Sequence, residues 1–315
     1  MASRRCLVTG GCGFIGSHLV AALLDRGDTV RVLDNLSTGR RANLGPLAPH
    51  VELLEGDLRD PAAVARAVAD VDGVFHEAAL ASVPRSVEAP LPTHEADATG
   101  TLQVLLAARA AGVRRVVYAG SSSAYGDAAT LPKHEELPVR PLSPYAAAKL
   151  AGEHYCAAFA RSLGLETVTL RYFNIFGPRQ DPQSQYAAVV PRFITALLAG
   201  RPPTIYGDGT QSRDFTYVDN VVAANLLALD APAASGEAIN VACGERYTLL
   251  ELVAALNAAL GTAIAPAHAP RRAGDVAHSL ASIAKAERLL GYRPVVGFAD
   301  GLRRTVAWFQ TQAAQ

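Results

Sequence analysis

The chain has 315 residues with 29 basic and 29 acidic side chains, a balance that gives no electrostatic reason to expect a nucleic acid or an anionic membrane as partner. Its four cysteines, Cys6, Cys12, Cys156 and Cys243, form no C-x-x-C pair, which speaks against a disulfide framework and equally against a cysteine zinc site. No uncharged run of about 18–20 apolar residues is present, and the opening "MASRRCLVTGG" runs into a strand pattern without room for a signal peptide, so the expectation is a soluble, cytoplasmic protein.

The first half alternates β-branched runs with amphipathic helices. "CLVTG" (6–10) reads as a strand and 14–27 as a helix ending at Gly27. Strands follow at 29–34, 51–57, 73–79, 114–120 and 165–173, with helices near 97–112 and 144–163. That rhythm predicts an α/β fold of Rossmann type, a doubly wound parallel sheet with helices on both faces. Ligands then bind beyond the carboxyl ends of the strands.

After Asn174 the rhythm changes to Gly/Pro-rich turns and short helices near 189–199 and 248–260, the pattern of a smaller α/β lobe. The expected division is a dinucleotide-binding domain over 1–175 and a substrate-binding lobe over 176–315. The segments 213–230 and 237–242 leave open a return to the first domain, joined by the short connection "APAASG" (231–236).

"VTGGCGFIGSH" follows the first strand and opens the first helix. Gly10, Gly13 and Gly16 permit a tight turn and a close backbone approach, which places a pyrophosphate on free N–H groups of the helix start. Such a trio alone is a weak signal, because glycine turns also join strands to helices without any ligand. Position at the first βα junction strengthens it. Asp34 ends the second strand eighteen residues beyond Gly16, where a carboxylate accepts ribose hydroxyls and repels a 2′-phosphate. This favours NAD over NADP, with Arg40 and Arg41 arguing the other way. Asp57 and Leu58, after the third strand, are placed to flank the adenine.

"SPYAAAK" (143–149) carries the chemistry. Ser143 is a good N-cap and Pro144 a good first helical residue, so Tyr145 falls in the first turn and Lys149 one turn along the same face. An ammonium and a helix N-terminus both favour a phenolate, so Tyr145 is expected to serve as a base near neutral pH. A lone Y-x-x-x-K is usually a half-buried tyrosine and a surface lysine. Here it follows a strand ending in Ser121, Ser122 and Ser123, downstream of the glycine turn.

With these residues in place, the chain resembles the extended short-chain dehydrogenases/reductases, and among them the NAD-dependent nucleotide-sugar 4-epimerases. The likeness runs through "TGGCGFIGSH", "GDL", "HEAALASVPRS", "AGSSSAYG", "SPYAAAK", "RYFNIFGPRQDP", "GDGTQSRDFTYVDN" and "RAGDVAHSLASIAKAERLLGY", essentially the whole length. It implies that Ser121 hydrogen-bonds the sugar O4, that Tyr145 takes its proton while C4 hydride moves to NAD, and that Lys149 holds the nicotinamide ribose. Ser122 would assist in orienting the sugar and Ser123 would lie beside it. The 4-keto sugar would turn over before hydride returns. The same likeness adds Phe14, Ile15, Asn35, Ser37 and Gly39 to the cofactor residues, and then Ala78, Ala79 and Tyr172.

Related 4,6-dehydratases carry an Asp-Glu pair after the catalytic hydroxyl, and UDP-glucuronate decarboxylases a glutamate. Ser122 and Ser123 stand there instead, so epimerisation is favoured. For the UDP-sugar, the resemblance implies contacts from Asn174, Arg213 and Arg272 to the diphosphate, fixed guanidinium forks suiting that role. Ala188, Val189 and Tyr206 lie in segments that enclose the uracil; Tyr206 either stacks on it or packs under its loop. Ser82, Ser86 and the small Ser279 resemble the subgroup preferring UDP-N-acetylhexosamines, Ser279 standing where galactose-only enzymes carry tyrosine. UDP-glucose fits the same space. UDP-glucuronate is a further candidate through Arg179 or Arg192, against which Asn174 speaks mildly.

One residue departs from the pattern, Asp97, where relatives commonly place asparagine near the nicotinamide. His76 has no second and third ligand at metal spacing and reads as structural; no metal is expected. Competing readings are a nucleotide-sugar dehydratase or reductase, and a non-catalytic NAD-binding regulator. The likeness also implies a homodimer built as a four-helix bundle from 97–112 and 144–163.

Overall fold

Strand residues that alternate between two apolar surfaces decide the architecture. In the computed structural model, which describes residues 3–182, 188–271 and 276–313, six strands form the body of one sheet. They are β1 (Arg5–Thr9), β2 (Thr29–Asp34), β3 (Val51–Glu55), β4 (Gly73–His76), β5 (Arg115–Ser121) and β6 (Glu166–Tyr172). A seventh strand, Glu237–Val241, lies outside β6. All neighbours are parallel, in the order Glu237–Val241, β6, β5, β4, β1, β2, β3. The chain reverses direction across the sheet between β1 and β4, which opens a crevice at their carboxyl ends.

Period-two alternation sends Cys6 and Val8 of β1 to one face and Leu7 to the other. Phe75 and Val117 follow the first pair, and Val74 and Val116 follow Leu7. The first face is covered by helix α1 (Phe14–Asp25), through Leu19, Val20 and Leu23, and by the helix Val218–Asp230. The second face is covered by α2 (Pro61–Val68) and the helices Gly100–Ala110 and Pro144–Ser162. Each fully buried Leu, Val or Phe contributes about 1.5–3 kcal/mol, so the two cores hold the sheet from both sides. Helix α2 is short enough to escape a periodicity reading; Asp60 caps it by accepting the Ala62 N–H at 2.9 Å, and Pro61 starts it.

Residues after Asn174 make a second core. Phe176, Phe215 and Phe298 pack edge-on or stacked there. The helices Val189–Leu198, Leu249–Leu260 and Phe298–Ala313 surround them. Thr248 and Glu251 close a reciprocal capping box at the start of the second of these. Among the described residues no helix is long and apolar enough to cross a membrane.

Candidate active site

The glycine turn closes β1 onto α1. Gly10 sits at φ +69°, and a Cβ there would lie 2.8 Å from the Cα and N of Ala78. A Cβ on Gly16 would meet the Gly10 carbonyl oxygen at 2.2 Å. Both positions need glycine for close backbone approach, and the turn thereby aims the first N–H groups of α1, at Phe14 and Ile15, into the crevice. An open cleft of about 1200 Å³ runs from this turn along the sheet edge. Gly13, Asp34, Ser37, Leu58, Ala79 and Ser82 are among the residues that line it.

Asp34 ends β2 with its carboxylate held by the N–H groups of Cys12 (2.9 Å) and Leu36 (2.8 Å). Gly39 packs directly on it, since a Cβ there would lie 2.9 Å from both carboxylate oxygens. Asn35 donates to Asp57 at 2.7 Å and accepts from the Ser37 hydroxyl at 2.7 Å. Arg59 also grips Asp57 and, with burial acting against it, holds its carboxyl well below the usual range. Arg40 pairs with Asp181 at 2.9 Å and Arg41 pairs with Glu55. The two arginines that argued for a 2′-phosphate are therefore already engaged by carboxylates. The residues present fit a dinucleotide whose ribose meets an acid.

At the next crossing, Ser121 ends β5 and begins a short 3₁₀ turn, Ser122–Tyr125. Its hydroxyl lies 2.7 Å from that of Ser123 and accepts the Ser123 N–H at 3.2 Å. Ser143 caps the following helix by accepting the Ala146 N–H at 3.1 Å, with Pro144 first in the helix. The Ser121 hydroxyl also acts on the Tyr145 phenol. Burial, and then the Asp97 charge, push that phenol up to about 12, with Ser121 acting the other way. The expected lowering by Lys149 is absent. The Lys149 ammonium lies 4.3 Å from the centre of the Tyr118 ring, and burial outweighs any attraction at Tyr145. Burial lowers Lys149 itself, while Asp97 and Glu77 act to raise it.

None of the three lines the cleft, whereas Glu77 and Leu80 do. Glu77 drew no attention in the sequence, although a charged residue at the carboxyl end of a central strand is itself a signal. It accepts a 2.8 Å bond from the Tyr172 hydroxyl, which in turn accepts from Asn225 at 2.7 Å. The Tyr172 phenol is thus committed to Glu77 rather than open to the cleft. His76 is fixed between the hydroxyls of Thr9 (2.7 Å) and Thr101 (3.0 Å). Thr101 donates onward to the Asp97 carbonyl at 2.6 Å, so the network assigns the proton to Nε2 of a neutral ring. Burial lowers this histidine to about 3.

In the second lobe, Asn174 adopts φ +41° and donates to the Asp214 carbonyl at 3.0 Å. Arg213 donates to the carbonyls of Ser212 and Ala277, and Ser279 donates its N–H to Ser212 at 2.9 Å. Arg213 and Ser279 are therefore tied to the same Ser212 carbonyl. Tyr206 lies near the Arg192 guanidinium, 5.9 Å from ring centre. Ala188 caps and Val189 begins the helix Val189–Leu198. Ser82 caps the helix Val83–Glu88, whereas Ser86 is buried and donates to Val83 within it. Arg272 lies outside the described residues. Arg179, at φ +66°, lines the cleft with a buried guanidinium nitrogen that has no partner.

The sequence model of the NAD dependent epimerase/dehydratase family matches residues 6–242. The UDP-glucose 4-epimerase of Mycolicibacterium smegmatis is 40% identical over 321 aligned positions, covering 98% of this chain and 99% of that one. The solved UDP-N-acetylglucosamine 4-epimerase of Methanobrevibacter ruminantium, in complex with UDP-N-acetylmuramic acid, superposes with a TM-score of 0.95 at 42% identity, covering 99% of this chain and 100% of that one. The Thermus thermophilus UDP-glucose 4-epimerase, solved with NAD, gives a TM-score of 0.88 at 43% identity over 97% of this chain and 99% of that one.

Proposed function

The chain belongs to the NAD dependent epimerase/dehydratase family, and from that membership we propose that it inverts C4 of a UDP-hexose, acting on UDP-GlcNAc/UDP-GalNAc or UDP-Glc/UDP-Gal. The observation that carries this reading is the glycine turn and Asp34 that fit a dinucleotide, together with Ser121 acting on Tyr145 at the start of the helix that carries Lys149. Solved relatives of the same length, one with a UDP-sugar and one with NAD, support it.

Gly10, Gly13, Phe14, Ile15 and Gly16 would hold the pyrophosphate of NAD, Asp34 its ribose, and Asp57 and Leu58 its adenine, and the bound cofactor would supply the acceptor and then the donor for the C4 hydride. Tyr145 accepts the proton of O4 and later gives it back, a general base and acid in turn. Ser121 positions O4 for that transfer, and Lys149 supplies the positive charge that a phenolate at Tyr145 requires. Asn174, Arg213, Arg272 and Tyr206 hold the UDP moiety, and the small Ser279 leaves space at C2 of the sugar.

Residues 1–175, with the helix Val218–Asp230 and the strand Glu237–Val241 returning to them, form the cofactor domain in this reading, and the remainder the sugar lobe. Val87, Leu91, Leu106 and Tyr155 are large apolar side chains left exposed on neighbouring helical segments. They suit the expected homodimer through a four-helix bundle. The four cysteines are free, as in a reducing cytoplasm. Proton NMR of UDP-GlcNAc, UDP-glucose and UDP-glucuronate incubated separately with the protein tests the assignment. Appearance of the C4 epimer supports it; a stable 4-keto or deoxy product makes the chemistry that of an oxidase or a dehydratase.

A further inference from the structure

Asn240 lies in the strand Glu237–Val241, opposite Arg171 of β6 in the parallel register, and is fully buried. Both residues reach the same hydroxyl. Arg171 donates to the Tyr125 oxygen at 2.8 Å, and that hydroxyl donates to Asn240 Oδ1 at 2.7 Å. A guanidinium only donates, so the Tyr125 proton is left for Asn240. On its other side Asn240 Nδ2 donates to the carbonyls of Lys133 at 3.0 Å and Ser282 at 3.3 Å. Carbonyls only accept, so the amide fits one way round, with its oxygen and both of its N–H groups engaged.

These partners belong to two different parts of the candidate site. Tyr125 closes the 3₁₀ turn that begins after Ser121. Lys133 pairs in parallel with Ala281 in the segment that carries Ser279: its N–H donates to Leu280 at 2.7 Å, and its carbonyl accepts the Ser282 N–H at 2.9 Å. The Lys133 ammonium adds a second tie to the serine turn, donating to the Gly126 carbonyl at 3.1 Å. The opposite edge of the segment rests on Ser212, whose carbonyl accepts the Ser279 N–H, and on Asp214, whose carboxylate accepts the Ala281 N–H at 3.2 Å. The Asp214 carbonyl in turn accepts from Asn174. Residues 279–282 are thus registered with Asn174 along one edge and with the serine turn, through Lys133 and Asn240, along the other.

We propose that Asn240 is a positioning residue that sets the spacing between the serine turn and the segment carrying Ser279, and through that spacing the preference among UDP-sugars. The proposal rests on the 4-epimerase reading above and deepens it. In that reading O4 of the sugar meets Ser121 while C2 faces Ser279, so one hexose ring spans the two parts that Asn240 joins. The ring is rigid, and a shift of the Ser279 segment is felt most by the sugar with the bulkier group at C2. A buried polar network in which every member is satisfied holds one geometry, and removal of one member releases it. Asn240 does not line the cofactor cleft and acts through Tyr125, Lys133 and Ser282.

The test compares kcat/KM for UDP-GlcNAc and UDP-glucose in the full chain, with bound nucleotide and Tm measured on the same samples. Asn240→Leu removes all three side-chain hydrogen bonds. Asn240→Asp keeps the shape and the acceptor for Tyr125 but loses the amide donors. Each should lower the UDP-GlcNAc to UDP-glucose ratio of kcat/KM by about tenfold, the scale of discrimination that pocket sterics supply, with bound NAD retained. Tyr125→Phe leaves both donor bonds of Asn240 in place, so it should lower kcat for the two sugars alike and leave the ratio unchanged. A wild-type ratio in whichever Asn240 variant folds, even with lower activity on both sugars, confines Asn240 to stability and overturns the proposal. Loss of folding in both Asn240 variants overturns it too, as does an equal shift of the ratio in Tyr125→Phe. In each of these cases epimerisation by wild type leaves the functional reading standing. Absence of C4 inversion of either sugar by wild type overturns both.

Discussion

The hydroxyl of Ser121 lies 2.7 Å from the hydroxyl of Ser123 at the carboxyl end of β5. From that strand end Ser121 also acts to lower the Tyr145 phenol on the following helix. Tyr145→Phe should remove turnover by at least about 10²–10⁴-fold, the usual worth of a positioned acid–base group. NAD content and UDP-sugar affinity should stay near wild type. Turnover within tenfold of wild type would exclude Tyr145 as the base. Ser121→Ala should lose less, because Tyr145 remains.

The Tyr145 phenol stands at about 12 in the protein, so its base form is scarce at neutral pH. The sign follows directly: kcat/KM should rise with pH along the acid limb as more phenolate forms. Lys149 is not among the groups that shift this phenol in the free protein, so Lys149→Met tests whether its ammonium favours the phenolate once NAD and the sugar are bound. The variant's acid limb should then move to higher pH and its rate at pH 7 should fall more than its rate at pH 9. A variant that loses the same factor at every pH would confine Lys149 to binding.

Gly16→Ala tests the cofactor turn. Its Cβ would lie 2.2 Å from a backbone oxygen of Gly10 and 2.9 Å from the Gly11 Cα, neither of which moves cheaply. Overpacking of this kind costs about 1–3 kcal/mol. Thermal unfolding should show a lowered Tm, and mass spectrometry of the purified protein should show lost nucleotide. An unchanged Tm with full nucleotide content would remove the close approach as the reason for glycine.

Ser279→Tyr addresses the sugar. Ser279 is 8% exposed and anchored by its N–H on Ser212, beside Arg213. A phenol there fills the space proposed for a 2-N-acetyl group. The kcat/KM for UDP-GlcNAc should fall at least about tenfold, and that for UDP-glucose should change little, in line with the 1–3 kcal/mol that pocket sterics supply. Equal losses for both sugars would dissociate Ser279 from C2.

Much of this site was legible because backbone demands leave marks in the sequence. Gly10 and Gly16 are glycines for contacts that a Cβ would break, and Ser143 and Pro144 announce a helix start that fixes where Tyr145 and Lys149 fall. Pairings between distant segments left no such mark. Glu77 meets Tyr172 across 95 positions, and Arg40 meets Asp181 across 141. Only the folded chain brings them together. The π-helical turn at Glu95–Thr99 is equally silent, since one inserted residue barely disturbs an apolar period. The Tyr145 phenol shows the limit of arguing from charge alone: spacing put an ammonium one turn away, and burial outweighed it.

The support beneath Ser121 is a buried ion pair. Arg171 donates to Glu153 through Nε at 2.9 Å and Nη2 at 2.5 Å, and through Nη1 to the Tyr125 hydroxyl at 2.8 Å. Tyr125 closes the 3₁₀ turn that starts after Ser121 and donates to Asn240 at 2.7 Å. Glu153→Ala leaves the guanidinium buried without its carboxylate, and removing one partner of such a pair costs about 3–5 kcal/mol. The same network holds the serine turn, so kcat should fall along with Tm while NAD content is kept. Replacing both partners, Glu153→Met with Arg171→Met, removes the buried charges together and should recover most of the stability. Its kcat should stay low, because Tyr125 has lost the donor that fixes its hydroxyl. Full activity in the double variant would mean that the turn holds its geometry without Arg171, and that the ion pair serves stability alone.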